Sequence, residues 1–259
     1  MDHPIPDRAL PPALATSADA DALPLVLALP KGRILREVAP LLARVGLVPG
    51  GDFADEDSRH LRFPTGDPRL DVIRVRPFDV ATFVAHGAAQ VGVCGADVLM
   101  EFDYPEIYAP LDLRIGACRV SVAAPADEAL RGGDPARWSS VTVATKYPGI
   151  ATRHFAARGV GAEVVHLNGA MELAPSLGLA RLIVDLVQTG ATLAANGLVE
   201  TEVIAHVTSR LVVNRTALKT RPEAIGALIA RFRAAVEAGI ASTAARPDEA
   251  SGPPRAPLG

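Results

Sequence analysis

Aromatic side chains are scarce: one Trp, three Tyr and seven Phe make up 4% of the 259 residues. Any core must therefore be aliphatic, built from Val, Leu, Ile and Ala. Cysteine is scarcer still. Cys94 and Cys118 each sit in an apolar, strand-like run, without the spacing of a disulfide framework or a zinc site, so a reducing cytoplasm is expected. Charge of one sign is not in excess. The formal net charge is -3, and there is no basic face or tail of the kind a general nucleic-acid binder carries. Long hydrophobic runs are also missing. The stretch LPLVLALP, residues 23–30, is too short to cross a membrane, and no basic n-region precedes it, so neither export nor insertion is expected. The six histidines lack Cys or carboxylate partners at metal or triad spacing, and no G-x-S-x-G, Walker A or G-x-G-x-x-G pattern occurs.

What is present is a globular composition, 49% hydrophobic and 21% charged, long enough for two modest domains or one large one. Residues 1–23 and 241–259, rich in Pro, Ala and Asp or Gly, are expected to be disordered tails. Between them strand-like and helix-like patterns alternate. LVLAL at 25–29 is a buried-strand run, and Ile34, Leu35, Val38, Leu41, Leu42 and Val45 then repeat at helical spacing until Gly46. DVIRV at 71–75 is a second strand, Pro77 opens a helix ending near Gly87, and VGVCG and CRVSVA are further strands. After a Pro/Gly/Asp-rich break, PADEALRGGDPARW, come VTVAT, a helix from Pro148 to about Arg158, AEVVHL, a short helix over Met171–Leu179, IVDLV and a helix from Thr192. SRLVVN and a last helix, about Pro222 to Ala238 with Ile225, Leu228, Ile229, Phe232 and Val236 on one face, complete the series. The alternation predicts an α/β fold with parallel sheets covered on both faces, and the break predicts two domains with a ligand cleft between them.

Two segments carry most of the chemistry. In IVDLVQTGATL, residues 183–193, a buried strand runs into the loop Thr189-Gly190-Ala191-Thr192 and a helix start. Backbone N–H groups, two hydroxyls and a glycine permitting close approach suit a phosphate, and Asp185 could accept hydrogen bonds from a ribose diol. The same residues also read as an ordinary strand–turn–helix with Thr192 as N-cap. In LPKGRI, Lys31 and Arg33 flank Gly32 at a helix N-terminus, where two cations oppose the helix dipole unless an anion sits between them. A solvated turn is the alternative. Arg59 with Arg62, and Arg74 with Arg76, are further basic groups that could join them. Glu172, at a helix start, is a cap or a ribose ligand, and His86 is a packed or surface residue.

The stretches LALPKGRILREVAPLLARVGL, RPFDVATFVAHGAAQVGVCGADVL, CRVSVAAP, VTVATKYPGIATRHFAARG, MELAPSLGLARLIVDLVQTGATLAANGL and SRLVVN together resemble the ATP phosphoribosyltransferase family, in family order over nearly all of 25–215. The resemblance implies two domains of periplasmic-binding-protein-like (type II) topology: one of residues 24–118 plus about 209–240, the other of 119–208. It implies the first step of histidine biosynthesis, in which ATP and 5-phosphoribosyl 1-pyrophosphate give N1-(5-phosphoribosyl)-ATP and pyrophosphate. The phosphoribosyl 5′-phosphate loop falls on Thr189, Gly190, Ala191 and Thr192, and the ribose-facing carboxylates on Asp185 and Glu172. Lys31, Arg33, Arg59 and Arg76 fall where the family meets pyrophosphate or triphosphate, Arg59 acting across a dimer interface. Magnesium would ride on substrate oxygens, without a protein cage. Arg181 and Ala194, which the resemblance places beside the phosphate loop, depart from the acidic and charged residues of many members.

With only 19 residues after the expected last helix, the chain reads as the short form, lacking a third regulatory domain. Such forms work as a homodimer within a hetero-oligomer, with a regulatory subunit resembling histidyl-tRNA synthetase. No nucleic-acid or membrane partner is expected. Two other readings remain: a solute-binding or effector-sensing module of the same fold, which would bring an export signal or a DNA-binding domain, and another phosphoribosyltransferase, suggested by D-x-x-x-T-G-x-T at 185–192.

Overall fold

A computed structural model describes residues 23–55, 57–130 and 139–244. The expected tails, apart from Leu23 and residues 241–244, and residues 131–138 of the Pro/Gly/Asp-rich break, lie outside the described residues. The chain builds two sheets. The first contains β1 (Leu25–Pro30), β2 (Arg62–Pro64), β3 (Leu70–Val75), β4 (Val91–Gly95), β5 (Ile107–Asp112) and β11 (Ser209–Asn214), in the order β2-β3-β1-β4-β11-β5. The second contains β6 (Cys118–Pro125), β7 (Ser140–Thr145), β8 (Gly161–His166), β9 (Leu182–Val187) and β10 (Leu198–Val207), in the order β10-β6-β9-β7-β8.

Neither sheet is purely parallel, which corrects the expectation drawn from alternation. β1 runs parallel to β3 and β4, and β7 parallel to β8 and β9. But β2 is antiparallel to β3, β11 to both β4 and β5, and β6 to both β9 and β10. The cause is the route of the chain. It leaves the first sheet after β5, builds the second, and comes back directly from β10 into β11, which enters between β4 and β5 in the reverse direction. Cys118 is therefore the first residue of the second sheet. β10 escaped the pattern because it is a half-exposed edge strand with charged residues along it. One of them, Glu200, accepts hydrogen bonds from Arg119 Nε (2.5 Å) and Ser121 Oγ (2.7 Å) on β6.

The described helices are α1 (Arg33–Val45), α2 (Pro77–Ala85), α3 (Ala96–Phe102), α4 (Ala126–Leu130), α5 (Pro148–Ala156), α6 (Leu173–Ser176), α7 (Ala191–Ala195), α8 (Arg215–Thr220) and α9 (Pro222–Ala244). α1 buries Leu35, Val38, Leu41, Leu42 and Val45 and ends at Gly46 in the left-handed region, whose N–H returns to Ala43 O and Leu42 O. α9 buries its predicted face against the same core and continues to Ala244, past the expected start of the tail. α6 and α7 are single turns, α6 shorter than the expected Met171–Leu179 and α7 starting one residue before Thr192. One aliphatic core lies under α1 and α9 and another under α2 and α3, so both faces of the first sheet are covered; two further cores cover the second. Phe78 of α2 and Ala96 of α3 pack into the second sheet's core. The crossovers are tied to each other: Thr208 Oγ1 and Arg114 N both donate to Asp112 Oδ1 at 2.8 Å, and Ser209 N donates to Ile115 O at 2.9 Å.

Candidate active site

The carboxyl ends of β1 and β3 carry the first group of site residues. Lys31 N donates to Val75 O at 2.8 Å, which fixes the turn after β1 against the end of β3. Gly32 then caps α1 at φ 80°, ψ -144°, a backbone region that glycine alone adopts without strain. Arg33 is the first residue of α1. Its Nη1 donates to Glu37 Oε1 at 2.7 Å, while Glu37 Oε2 accepts from Gly116 N at 2.6 Å, so the guanidinium is anchored to the crossover that leads to Cys118. Arg76 is the N-cap of α2 and exposed. Residues 59–61 run back beside the end of β3: Arg74 N donates to Leu61 O (2.8 Å), continuing the antiparallel register of Arg62 with Ile73. Arg59 therefore lies on the same rim as Arg76 and Lys31. Among the described residues none of these three cations has a carboxylate partner. Arg74, one of the basic groups expected to join them, is only 1% exposed and cannot reach a ligand.

The second sheet brings Asp185, in β9, towards the same space. Its carboxyl is pushed up to about 6, first by burial and further by the charges of Glu172 and Asp97, against a hydrogen bond from Leu186 N and the charge of Lys146. Glu172 makes no capping hydrogen bond at α6, so its carboxylate is left to act on Asp185. The sequence motifs do not single out Lys146 or Tyr147. Tyr147 OH donates to Asp97 Oδ2 at 2.8 Å, linking the end of β7 to α3 across the two sheets. Lys146 Nζ lies 4.1 Å from the Phe78 ring centroid. Burial raises the Asp97 carboxyl and pushes the Tyr147 phenol up, helped by Asp97 and Asp185. Cys118 is raised by burial and by Asp97, with the positive charge of Arg33 working the other way. These mutual influences draw Arg33, Cys118, Asp97, Tyr147, Lys146, Asp185 and Glu172 into one neighbourhood. The signal that could have found Lys146 and Tyr147 is their place: they directly follow β7, at the strand end where open α/β sheets bind ligands.

The loop after β9 differs from its bland reading. Thr192 is not the N-cap of α7. Gly190 takes that position at φ 81°, ψ 0°, and Thr189 Oγ1 accepts from Ala191 N at 3.3 Å. An added Cβ at Gly190 would meet nothing within 4 Å, so glycine is needed there for its left-handed backbone and not for space. Thr189, Ala191 and Thr192 are exposed. Arg181 precedes β9 and the loop follows it, so Arg181 sits at the opposite end of the strand and does not flank the loop; Ala194 lies in α7. Among the described residues no three His, Cys, Asp or Glu side chains are grouped to hold a metal ion.

The model of the family described as HisG, ATP phosphoribosyltransferase, matches residues 76–234. The chain belongs to the ATP phosphoribosyltransferase family. It is 67% identical over 224 residues to an ATP phosphoribosyltransferase of Gluconobacter oxydans, covering 86% of this chain and 90% of the relative. It is 66% identical over 214 residues to that of Rhodospirillum rubrum, covering 83% and 94%. Among solved structures, the ATP phosphoribosyl transferase (HisG:HisZ) complex from Thermotoga maritima has a chain similar to it with a TM-score of 0.71 and 30% identity, covering 83% of this chain and 99% of that one. The arginine-binding protein ArgBP of T. maritima, in a P235GK mutant form, aligns with a TM-score of 0.53 at 12% identity, over 88% and 96% of the two chains. That likeness shows the fold alone, two α/β domains of periplasmic-binding-protein topology with a cleft between them. As an ATP phosphoribosyltransferase, a pentosyltransferase, the chain serves the first step of histidine biosynthesis.

Proposed function

We propose that the cleft aligns ATP and 5-phosphoribosyl 1-pyrophosphate for a single displacement, with the pyrophosphate on the Lys31, Arg33, Arg59 and Arg76 rim. N1 of the adenine attacks the anomeric carbon, that carbon's bond to the pyrophosphate oxygen breaks, and the bonding pair leaves with the pyrophosphate. No protein nucleophile is required. The protein aligns two polyanions and stabilises charge as it develops on the leaving group. The observation that carries this reading is a rim on which Lys31, Arg59 and Arg76 have no carboxylate partner among the described residues, beside two partly buried carboxylates, Asp185 and Glu172. Asp185 and Glu172 accept hydrogen bonds from the ribose diol, and the 189–192 loop takes the 5′-phosphate. A magnesium ion borne by the substrate fits this donor set, since one or two carboxylate oxygens plus substrate oxygens satisfy it. It would supply charge neutralisation on the pyrophosphate, held from the protein side by Asp185 and Glu172. The site residues divide between a first domain of about 24–117 with 209–244 and a second of 118–208.

The likeness to a chain of the HisG:HisZ complex supports a HisZ-type regulatory partner; the family resemblance adds the proposal of a homodimer within that hetero-oligomer and of a partner resembling histidyl-tRNA synthetase. No described helix is long and apolar enough to cross a membrane. The test is formation of phosphoribosyl-ATP by the purified chain with and without that partner. The expected result is modest activity, insensitive to micromolar histidine, in the lone chain and faster turnover with the partner. Full histidine inhibition of the lone chain with no partner effect would overturn the regulatory assignment.

Two further outcomes follow from the site. Thr192→Ala is expected to weaken phosphoribosyl pyrophosphate binding by roughly 1.5–3 kcal/mol, one hydrogen bond to a charged group. Because Thr192 is not the cap of α7, the melting point should stay where it is. Calorimetric titration beside a thermal melt checks both, and unchanged affinity would remove Thr192 from the site. For Asp185, the ionised form is the acceptor the diol needs. With the carboxyl at about 6, kcat/KM for phosphoribosyl pyrophosphate should fall as pH drops through that value. Asp185→Asn should flatten this limb of the profile. The stability sign is opposite. The folded value lies above the unfolded one, so the carboxyl's contribution is fully present below about 4 and is lost as pH rises through about 6. Melts across that window, comparing the wild type with Asp185→Asn, measure it.

A further inference from the structure

Arg74 carries the largest of the fully buried side chains among the described residues, and nothing in the reaction uses it. A guanidinium out of water normally sits against a carboxylate, because an unpaired buried charge opposes folding. Arg74 has none. Its Nη1 donates to Phe53 O (2.8 Å) and Asp55 O (2.7 Å), and its Nη2 to Ser58 O (3.2 Å). The rings of Phe63 and Phe53 lie over it at 5.1 and 6.0 Å and meet each other edge-on. Nε has no partner. All three carbonyls belong to the single segment between α1 and β2 that carries Arg59.

The outer side of that segment is closed by Asp52. Its carboxylate accepts from Ser58 Oγ and faces His60 Nδ1 at 3.0 Å, and His60 N donates back to Ser58 Oγ at 3.0 Å. Arg59 thus stands between two residues tethered to one carboxylate, while the Ser58 carbonyl is held from inside by Arg74. The same arginine's backbone N–H binds Leu61 O, one step beyond the Arg62–Ile73 pair, and so holds the end of the segment against β3.

We propose that Arg74, with Asp52 outside it, is a positioning residue that frames the 52–60 segment and presents Arg59 to the leaving pyrophosphate. The proposal rests on the reading of Arg59 given above. The planar fork is what spans three carbonyls at once; a lysine ammonium is a single point on a flexible stem and cannot replace it. Arg74→Lys in the full-length chain should lower kcat about 10- to 100-fold, the scale of an ångström-sized misplacement, with little change in KM for phosphoribosyl pyrophosphate. In an Arg59→Ala background the same change should cost less than about twofold, since the group it positions is already gone. Hydrogen exchange of the amides at 53–55 and 57–60 should quicken in Arg74→Lys while β7 and β9 keep their protection. If Arg74→Lys fails to fold, Asp52→Asn, on an exposed carboxylate, carries the same test with a smaller effect. An unchanged exchange pattern in the segment, or an equal loss of kcat with and without Arg59, would overturn the proposal. Normal turnover in Arg59→Ala alone would instead overturn the reading it rests on, and the exchange data would still report whether Arg74 holds the segment.

Discussion

Arg33→Ala and Arg59→Ala are each expected to lower the turnover number about 30- to 1,000-fold, a barrier increase of about 2–4 kcal/mol, by analogy with the loss of an oxyanion donor. Charge on the departing pyrophosphate develops in the transition state, so the effect should fall on kcat more than on KM. The structure distinguishes the two residues. Arg33 is held by Glu37, which also binds Gly116 N in the crossover, so its removal also releases that carboxylate. Among the described residues Arg59 has no ion-pair partner, and its removal should be silent in a thermal melt. Because both act on one leaving group, the double mutant should be less than additive. Mixing inactive Arg33→Ala and Arg59→Ala subunits should restore some activity if Arg59 serves the neighbouring site of a dimer. Single-turnover rates at the wild-type level in both mutants would reduce the two arginines to surface cations.

Phe232→Ala should produce the largest loss of stability, about 3–5 kcal/mol, from lost burial and the cavity left behind. Phe232 is fully buried in the core beneath α1 and α9, with Ile225, Val38 and Leu42 among the cluster. Relaxation around it is restricted, because α9 is tied to the end of α1: Arg231 donates to Val45 O through Nε (3.0 Å) and Nη2 (2.6 Å), and Arg44 Nη1 to Ala235 O at 3.3 Å. For a domain of this size each kcal/mol lowers the melting temperature by roughly 2–4 °C, so a drop of about 6–20 °C is expected. Calorimetry on the full chain measures it. A shift of a degree or two would mean that α9 packs more loosely than its burial implies.

The helices and most strands were legible because their cues are local. The 3.6-residue spacing of Leu35, Val38, Leu42 and Val45, the glycine at 46 and the prolines at 77, 148 and 222 act within a turn of the residues they govern. Of the four edge strands β8 is legible as AEVVHL, while β2, β5 and β10 are not: β2 has only three residues, and the charged residues of half-exposed β10 are satisfied by a neighbour far along the chain, as Glu200 is by Arg119. Strand direction was misread for the same reason. β11 carries the same apolar pattern whether it runs parallel or antiparallel, and only the return from β10 decides.

The site divides along the same line. The residue types at 31–33 and 185–192 by themselves determined where phosphate could be met, since a strand end followed by glycine, hydroxyls or cations has that chemistry wherever it folds. They also determined the family, through the order of six segments. Tertiary structure alone decided which cations remain available. Arg74, in β3, and Arg76, just past its end, are two residues apart and look alike in sequence, yet one is sealed beneath Phe53 and Phe63 and the other is exposed on the rim. It decided that Thr192 leaves the capping position to Gly190, that Arg181 stands at the far end of β9, and that Tyr147 meets Asp97 across the cleft. Each of these depends on contacts between residues tens of positions apart or on one backbone angle, and a charge or hydroxyl acquires its function from the solvent and partners that such contacts leave to it.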